Sequence, residues 1–282
     1  MADSLERAIF RKGSTTYFWS TAFFPKDIRE DVFRLYSFVR TADDYVDTVQ
    51  PDNAGFIALR SAWSQAAHDQ AFVATPEAGD ALHERVVKNM VGVCRKYRFD
   101  PLWVEAFLDA MQSDLDGKQY RTWDDTLDYM YGSAEVIALM MCQIMGVRTE
   151  AQESARMLGR AMQYINFIRD IKEDIALGRC YFPETELRMY GVGGVAEFKA
   201  RPELFDDFVR AQLKRYRIWQ AVGERGYPHL PGRLLIPVKT ASDMYGWTAA
   251  VIDKEPKLVF ERKIKPTRGG VMLAGLKNSL RR

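Results

Sequence analysis

Two Asp-x-x-x-Asp pairs, Asp43/Asp47 and Asp170/Asp174, each lie in a run whose apolar residues recur at steps of three and four. A four-residue step puts both carboxylates of a pair on one face of a helix. The run 27–47 reads as one helix: Val32, Tyr36, Val39, Asp43 and Val46/Asp47 follow that period, and Pro25 marks its start. Further helical runs are predicted at 56–72, 79–96, 101–116, 123–147, 150–176, 203–225 and 231–252. Thr75-Pro76, Asp100-Pro101, Gly117, Gly146, Gly178, the GVGG at 191–194 and Pro228/Pro231 separate them. No block of alternating strands and no fixed repeat is visible. The expected fold is all-α, eight or more helices in a single domain over 1–282.

The two acidic faces are specific in composition. Gln163, Asn166, Asp170 and Asp174 are spaced 3, 4 and 4, so amides and carboxylates share one face bordered by Met162, Ile165 and Ile168. Tyr36, Arg40, Asp43 and Asp47 are spaced 4, 3 and 4. A solvated face favours Lys and Glu. Oxygen-rich faces beside Arg40, Arg169 and Arg179 suit Mg2+ and a phosphorylated ligand. Either face alone reads equally well as a surface stripe of ion pairs. Together they suggest facing walls that hold divalent metals. Metals and arginines in that arrangement help a diphosphate leave an allylic carbon, and a dry aromatic pocket shelters the resulting cation.

The bulk properties exclude other classes. With a net charge of +2, nucleic acid is not an expected partner. Cys94, Cys142 and Cys180 are widely spaced, so neither a disulfide framework nor a zinc site is expected, and a reducing compartment fits. The first residues lack a secretory pattern, and the most apolar stretch, 136–147, suits a buried helix better than a membrane span. A cytoplasmic location follows, with peripheral membrane contact left open. The last 23 residues carry seven Lys/Arg against one Glu, with Leu273, Leu276 and Leu280 as a weak apolar stripe. The plain expectation there is a solvated charged helix; a phosphate-gripping tail or an anionic-membrane contact are the alternatives.

Several motifs are shared with one family. GSTTYFWSTAFFP (13–25), LYSFVRTADDYVD (35–47), DLDGKQY (114–120), YMYGSAEVIALMM (129–141), QYINFIRDIKEDIALGRCYFP (163–183), then ASDMYGW and the basic VFERKIKP, follow one another in order. This series resembles the squalene/phytoene synthase family of head-to-head isoprenyl diphosphate synthases, over nearly the whole chain. The resemblance implies the all-α isoprenoid synthase fold around a central apolar cavity. It implies 1'-1 coupling of two prenyl diphosphates through a cyclopropylcarbinyl diphosphate. It assigns Asp43, Asp47, Asp170 and Asp174, with Asn166, to Mg2+ or alternatively Mn2+. It assigns Arg40, Arg169 and Arg179 to diphosphate. Tyr36, Asp114, Tyr129, Gln163 and Tyr181 would shape the pocket, shield the cation or steer proton loss; Ser14, Tyr17 and Tyr245 would lie near diphosphate or the cavity mouth.

One position departs from the pattern: many relatives carry histidine where this chain has Gly13. The chain's length suits phytoene synthases and bacterial presqualene or dehydrosqualene enzymes alike; the favoured reading is phytoene from two C20 units, with squalene, dehydrosqualene or presqualene diphosphate from C15 units as the alternative and NADPH required only for squalene. Ala138 and Met141 are candidates for the pocket floor. A terpene cyclase, an aromatic prenyltransferase and a non-catalytic all-α subunit are the competing readings. A monomer or homodimer is expected.

Overall fold

Caps and breakers divide the computed structural model into helices, described here over residues 4–69, 71–77 and 79–280. In chain order they are α1 (Ser4–Gly13), α2 (Thr15–Ser20), α3 (Lys26–Val46), α4 (Asn53–His68), α5 (Leu82–Tyr97), α6 (Pro101–Leu115), α7 (Trp123–Met130) and α8 (Val136–Met145). After these come α9 (Gln152–Arg169), α10 (Ile171–Ala176), α11 (Glu184–Met189), α12 (Pro202–Glu224), α13 (Leu235–Lys254), α14 (Leu258–Glu261) and α15 (Arg268–Leu280). No strand occurs among the described residues.

Local chemistry sets these boundaries. Ser14 accepts from the Tyr17 backbone N–H at 3.1 Å and so starts α2. Asp100 caps α6, whose first residue is Pro101. Thr122 and Asp125 form a reciprocal capping box at the start of α7. Gly146, at φ 64°, ends α8 in the left-handed conformation.

Two of the predicted long runs are interrupted. The 123–147 run contains a π-helical turn, Tyr131–Glu135, between α7 and α8. Gly132 makes this turn fit, because a Cβ there would stand 2.3 Å from the Ala106 carbonyl oxygen of α6. The 150–176 run breaks at Asp170, which leaves helical geometry at φ −97°, ψ 14°. The hydrogen-bond register survives the break: Asp170 N–H donates to Asn166 O and Asp174 N–H to Asp170 O, both at 2.8 Å. Asp170 and Asp174 therefore keep their four-residue relation across two helices.

Buried apolar residues join in one cluster running from Phe10 to Ile264. Trp63, Phe38 and Phe107 tie α4, α3 and α6 together, while α12 packs along α9. This places α3, α6, α7 and α9, which carry the acidic and tyrosyl motifs, around a shared interior. The C-terminal helix corrects the expectation of a solvated segment. It packs on α13 and α2 and buries Val271, Gly275 and Asn278.

Candidate active site

The first wall is the C-terminal end of α3. Arg40 donates to Asp43 at 2.6 Å and also pairs with Asp44. Its Nε is buried without a partner among the described residues, which leaves one donor free for a phosphate oxygen. Asp47 is the C-cap of α3. The second wall is the junction of α9 and α10, where Asp170 is likewise a C-cap. A helix C-terminus carries partial negative charge, so both walls favour cations by backbone as well as by side chain.

Arg179 joins the walls. Its guanidinium donates to Val46 O at 2.6 Å and pairs with Asp47 at 3.2 Å. The carboxylates feel one another across the gap. Burial, then repulsion from Asp47, Asp114 and Asp44, pushes the Asp43 carboxyl up to about 7, with Arg40 opposing. Burial, then Asp170, Asp47 and Asp114, holds Asp174 well above the usual carboxylate range. Asp170 moves the other way. Burial opposes its ionisation, but Arg169 (2.9 Å) and Lys263 (3.2 Å) hold its carboxyl below its ordinary value.

Behind the walls lies a tyrosine cluster. Tyr129 and Tyr181 donate to the two oxygens of Asp114 at 2.7 and 2.9 Å. Burial raises Asp114, while Arg179 and both hydroxyls act against that rise. Phe167 stacks on Tyr181 at 4.4 Å, and Tyr120 meets Tyr129 edge-on at 5.4 Å. The negative faces of such rings suit a passing cation. At the other side, Tyr17 and Tyr245 face each other at 5.7 Å, and the Tyr245 hydroxyl interacts with Tyr17 and Asn166. Asn166 donates weakly to Gln163 at 3.4 Å, and its Oδ1 is buried without a partner. Tyr36 stacks on Phe10 at 3.6 Å. The Ser14 hydroxyl is engaged as a helix cap.

Several neighbours were not singled out from the sequence: Phe10, Tyr120, Phe167, Lys263 and Lys265. The two lysines lie in the quoted basic motif, but no spacing rule carries a non-helical strap back to α9. Gly13 has a clear local reason. A Cβ there would stand 2.7 Å from both Arg40 Cδ and the Tyr36 hydroxyl, so glycine lets those two side chains close in. Gly13→His is expected to displace Arg40 and raise KM about fivefold, ~1 kcal/mol, with little change in Tm. An unchanged KM in steady-state kinetics would show that Arg40 does not depend on Gly13.

The donor set fits divalent metal. It is all oxygen, it carries excess negative charge, and it includes the unpartnered Asn166 Oδ1. Among the described residues no three His, Cys, Asp or Glu side chains stand close enough together to hold a metal ion by themselves. A metal here would complete its shell with water and phosphate oxygens, as Mg2+ commonly does.

Helices enclosing two acidic walls define an all-α isoprenoid synthase fold. A dehydrosqualene synthase crystal structure superposes with a TM-score of 0.80, covering 98% of this chain and 95% of the other at 21% identity. A squalene synthase from Alicyclobacillus acidocaldarius gives 0.73 over 89% and 92%, also at 21% identity. The squalene/phytoene synthase family profile matches residues 10–269. The chain belongs to that family, whose members are prenyltransferases. A 15-cis-phytoene synthase from Enterobacter agglomerans is 31% identical over 237 residues, covering 83% of this chain and 80% of the relative. One from a Paracoccus strain is 27% identical over 267 residues, covering 91% and 84%.

Proposed function

We propose that the protein condenses two geranylgeranyl diphosphates head-to-head, through a cyclopropylcarbinyl diphosphate, to phytoene. The observation that carries this reading is Arg179, which ties the α10 side of the site to Asp47 and Val46 and sets the two acidic walls against each other. The curated relatives described above, each named a phytoene synthase, favour the C20 substrate.

Asp43, Asp47, Asp170, Asp174 and Asn166 are the residues that would hold Mg2+. When bound, the metal offsets charge on the departing diphosphate as a Lewis acid. Arg40, Arg169 and Arg179 grip diphosphate oxygens as the C1–O bond breaks and its electron pair leaves with the phosphate. The π pair of the second substrate's alkene then forms the new C–C bond. Tyr36, Tyr129, Gln163 and Tyr181 line the cation's surroundings, and Asp114 lies within reach as a proton acceptor through its two tyrosines. Ser14, Tyr17 and Tyr245 border the entrance. Two diphosphates and two protons leave per phytoene, so no reductant is required; squalene would need a hydride. The location is proposed as cytoplasmic with peripheral membrane contact; among the described residues no helix is long and apolar enough to cross a bilayer.

Incubation with geranylgeranyl diphosphate and Mg2+ is expected to give a C40 hydrocarbon by mass spectrometry, without NADPH. Exclusive C30 product from farnesyl diphosphate would overturn the substrate choice. A cyclised C20 product or a prenylated aromatic acceptor would overturn the coupling.

Lys263 now lies on Asp170 and, at 3.6 Å, on Glu173. It therefore competes with metal for Asp170. Because Lys263 is partly exposed, the effect is modest, up to ~1 kcal/mol. Lys263→Ala is expected to tighten Mg2+ binding up to about fivefold by isothermal titration of the substrate-free protein. Weaker binding would show that Lys263 supports the metal site instead.

A further inference from the structure

Tyr181 reaches Asp114 from a stretch of chain that no helix supports. Residues 179–183, between α10 and α11, lie outside any helix, yet Tyr181, Phe182 and Pro183 are buried. A segment of this kind holds one side chain in one place only if its backbone is tied to its surroundings. Both ends are tied. Arg179 N–H donates to Asp174 O at 2.8 Å, and the Glu184 and Thr185 N–H groups donate to Tyr120 O and Arg121 O at 2.9 and 3.1 Å. Between them, one buried hydrogen bond falls on Tyr181 itself: the Thr126 hydroxyl donates to Tyr181 O at 3.0 Å.

Thr126 is fully buried in α7. A threonine inside a helix commonly returns its hydroxyl to the carbonyl three or four residues back. Thr126 instead sends its single O–H donor to a residue 55 positions further on. Tyr129 follows three residues later, on the same face of α7. One helix face therefore sets both phenols, Tyr129 directly and Tyr181 through its backbone. The result is a matched pair. The two rings stack at 4.8 Å and 29°, and their hydroxyls stand 3.5 Å apart. Each donates to a different oxygen of Asp114.

We propose that Thr126 is a positioning residue that holds the Tyr181 hydroxyl on Asp114 for proton removal during coupling. The catalytic use rests on the proposed function; the placement of Tyr181 does not. In that reaction a C–H bond of a cationic intermediate breaks and its electron pair stays in the product as a new carbon–carbon bond. The proton goes to Asp114: the Tyr181 hydroxyl oxygen accepts it while its own proton passes to the carboxylate. Without the Thr126 tie the chain between Arg179 and Glu184 relaxes, and the 2.9 Å bond from Tyr181 to Asp114 weakens as it lengthens. Arg179 keeps its place through its own contacts to Val46 O and Asp47, so diphosphate binding is spared.

The test compares Thr126→Val, which keeps the shape and removes the hydroxyl, with Thr126→Ser, which keeps the hydroxyl. Both are expected to fold, with Tm lowered by at most about 4 °C. Placement is read in the substrate-free protein, from the 19F resonance of 3-fluorotyrosine put at position 181. Thr126→Val is expected to shift or broaden that resonance, and Thr126→Ser to restore it. With geranylgeranyl diphosphate and Mg2+, Thr126→Val is expected to lower kcat about tenfold while KM stays within about twofold of wild type. The deuterium isotope effect on kcat with [1-2H2]geranylgeranyl diphosphate should rise, because proton removal from C1 has slowed. Thr126→Ser should recover both. A lower Tm with kcat and isotope effect at wild-type values would overturn the proposal and leave Thr126 as a packing residue. So would equal losses of kcat in the two variants. An unmoved 19F resonance in Thr126→Val would overturn it whatever the kinetics show. Absence of a C40 product from wild type would refute the proposed function instead, and the 19F resonance would still decide whether Thr126 places Tyr181.

Discussion

Asp170→Ala is expected to lower kcat/KM by roughly a thousandfold or more, equivalent to about 4 kcal/mol of lost transition-state stabilisation. Two losses combine. The site loses a carboxylate at the C-terminus of α9, where backbone and side chain both favour a cation. Arg169, half-buried beside it, loses its closest counter-charge, and Lys263 loses the nearer of its two partners, keeping Glu173. Asp43→Ala should act similarly from the opposite wall, because Asp43 orients Arg40 at 2.6 Å. Asp44 provides the control. It also pairs with Arg40, but it is more exposed and lies outside the four-residue step of Asp43 and Asp47. Asp44→Asn is expected to cost less than tenfold, about 1 kcal/mol. Diphosphate release, Mn2+ binding by electron paramagnetic resonance and Tm together separate the outcomes. Asp170→Ala with wild-type diphosphate release and unaltered Mn2+ binding would refute the metal assignment.

The second large effect concerns stability. Glu135, fully buried at the end of the π turn, accepts from Arg156 at 2.9 Å and Arg160 at 2.6 Å. These ion pairs fasten the turn between α7 and α8 to α9. Removing one side of a buried pair leaves uncompensated charge, at a cost of about 3–5 kcal/mol. Arg156 is about a third exposed and can recover some hydration, so the lower end applies, ~3 kcal/mol. Glu135→Ala is expected to lower Tm by about 6–12 °C. Glu135→Gln, which keeps the volume and some hydrogen bonds, should cost less. A change under 2 °C for the alanine variant would show that Glu135 does not hold the turn to α9.

The acidic walls were legible because helix geometry converts a four-residue step directly into a shared face. The break at Asp170 was not, because one residue departs from helical angles while the hydrogen bonds on both sides keep their register. The π turn escaped notice for a related reason. It adds one residue of phase within a nearly continuous apolar run, where periodicity carries little signal. Asp114, Tyr129 and Tyr181 come from three separate segments; only the family resemblance linked them, and their hydrogen bonds emerge from packing. Lys263 reached the site through a non-helical strap between α14 and α15, which no spacing rule projects. The leucines of α15 were visible as a stripe, but the direction of that stripe depends on which side meets α2 and α13. Gly275, where a Cβ would stand 2.1 Å from the Phe23 ring, decided it.

The most direct test of the central claim uses [1-13C]geranylgeranyl diphosphate with Mg2+ and 13C NMR of the hydrocarbon product. Head-to-head coupling joins the two labelled carbons as the equivalent halves of the central double bond, so one enriched olefinic 13C signal from a doubly labelled C40 product is expected, with two diphosphates released per product. Enriched signals from two inequivalent carbons, or a product carrying a single label, would contradict the account.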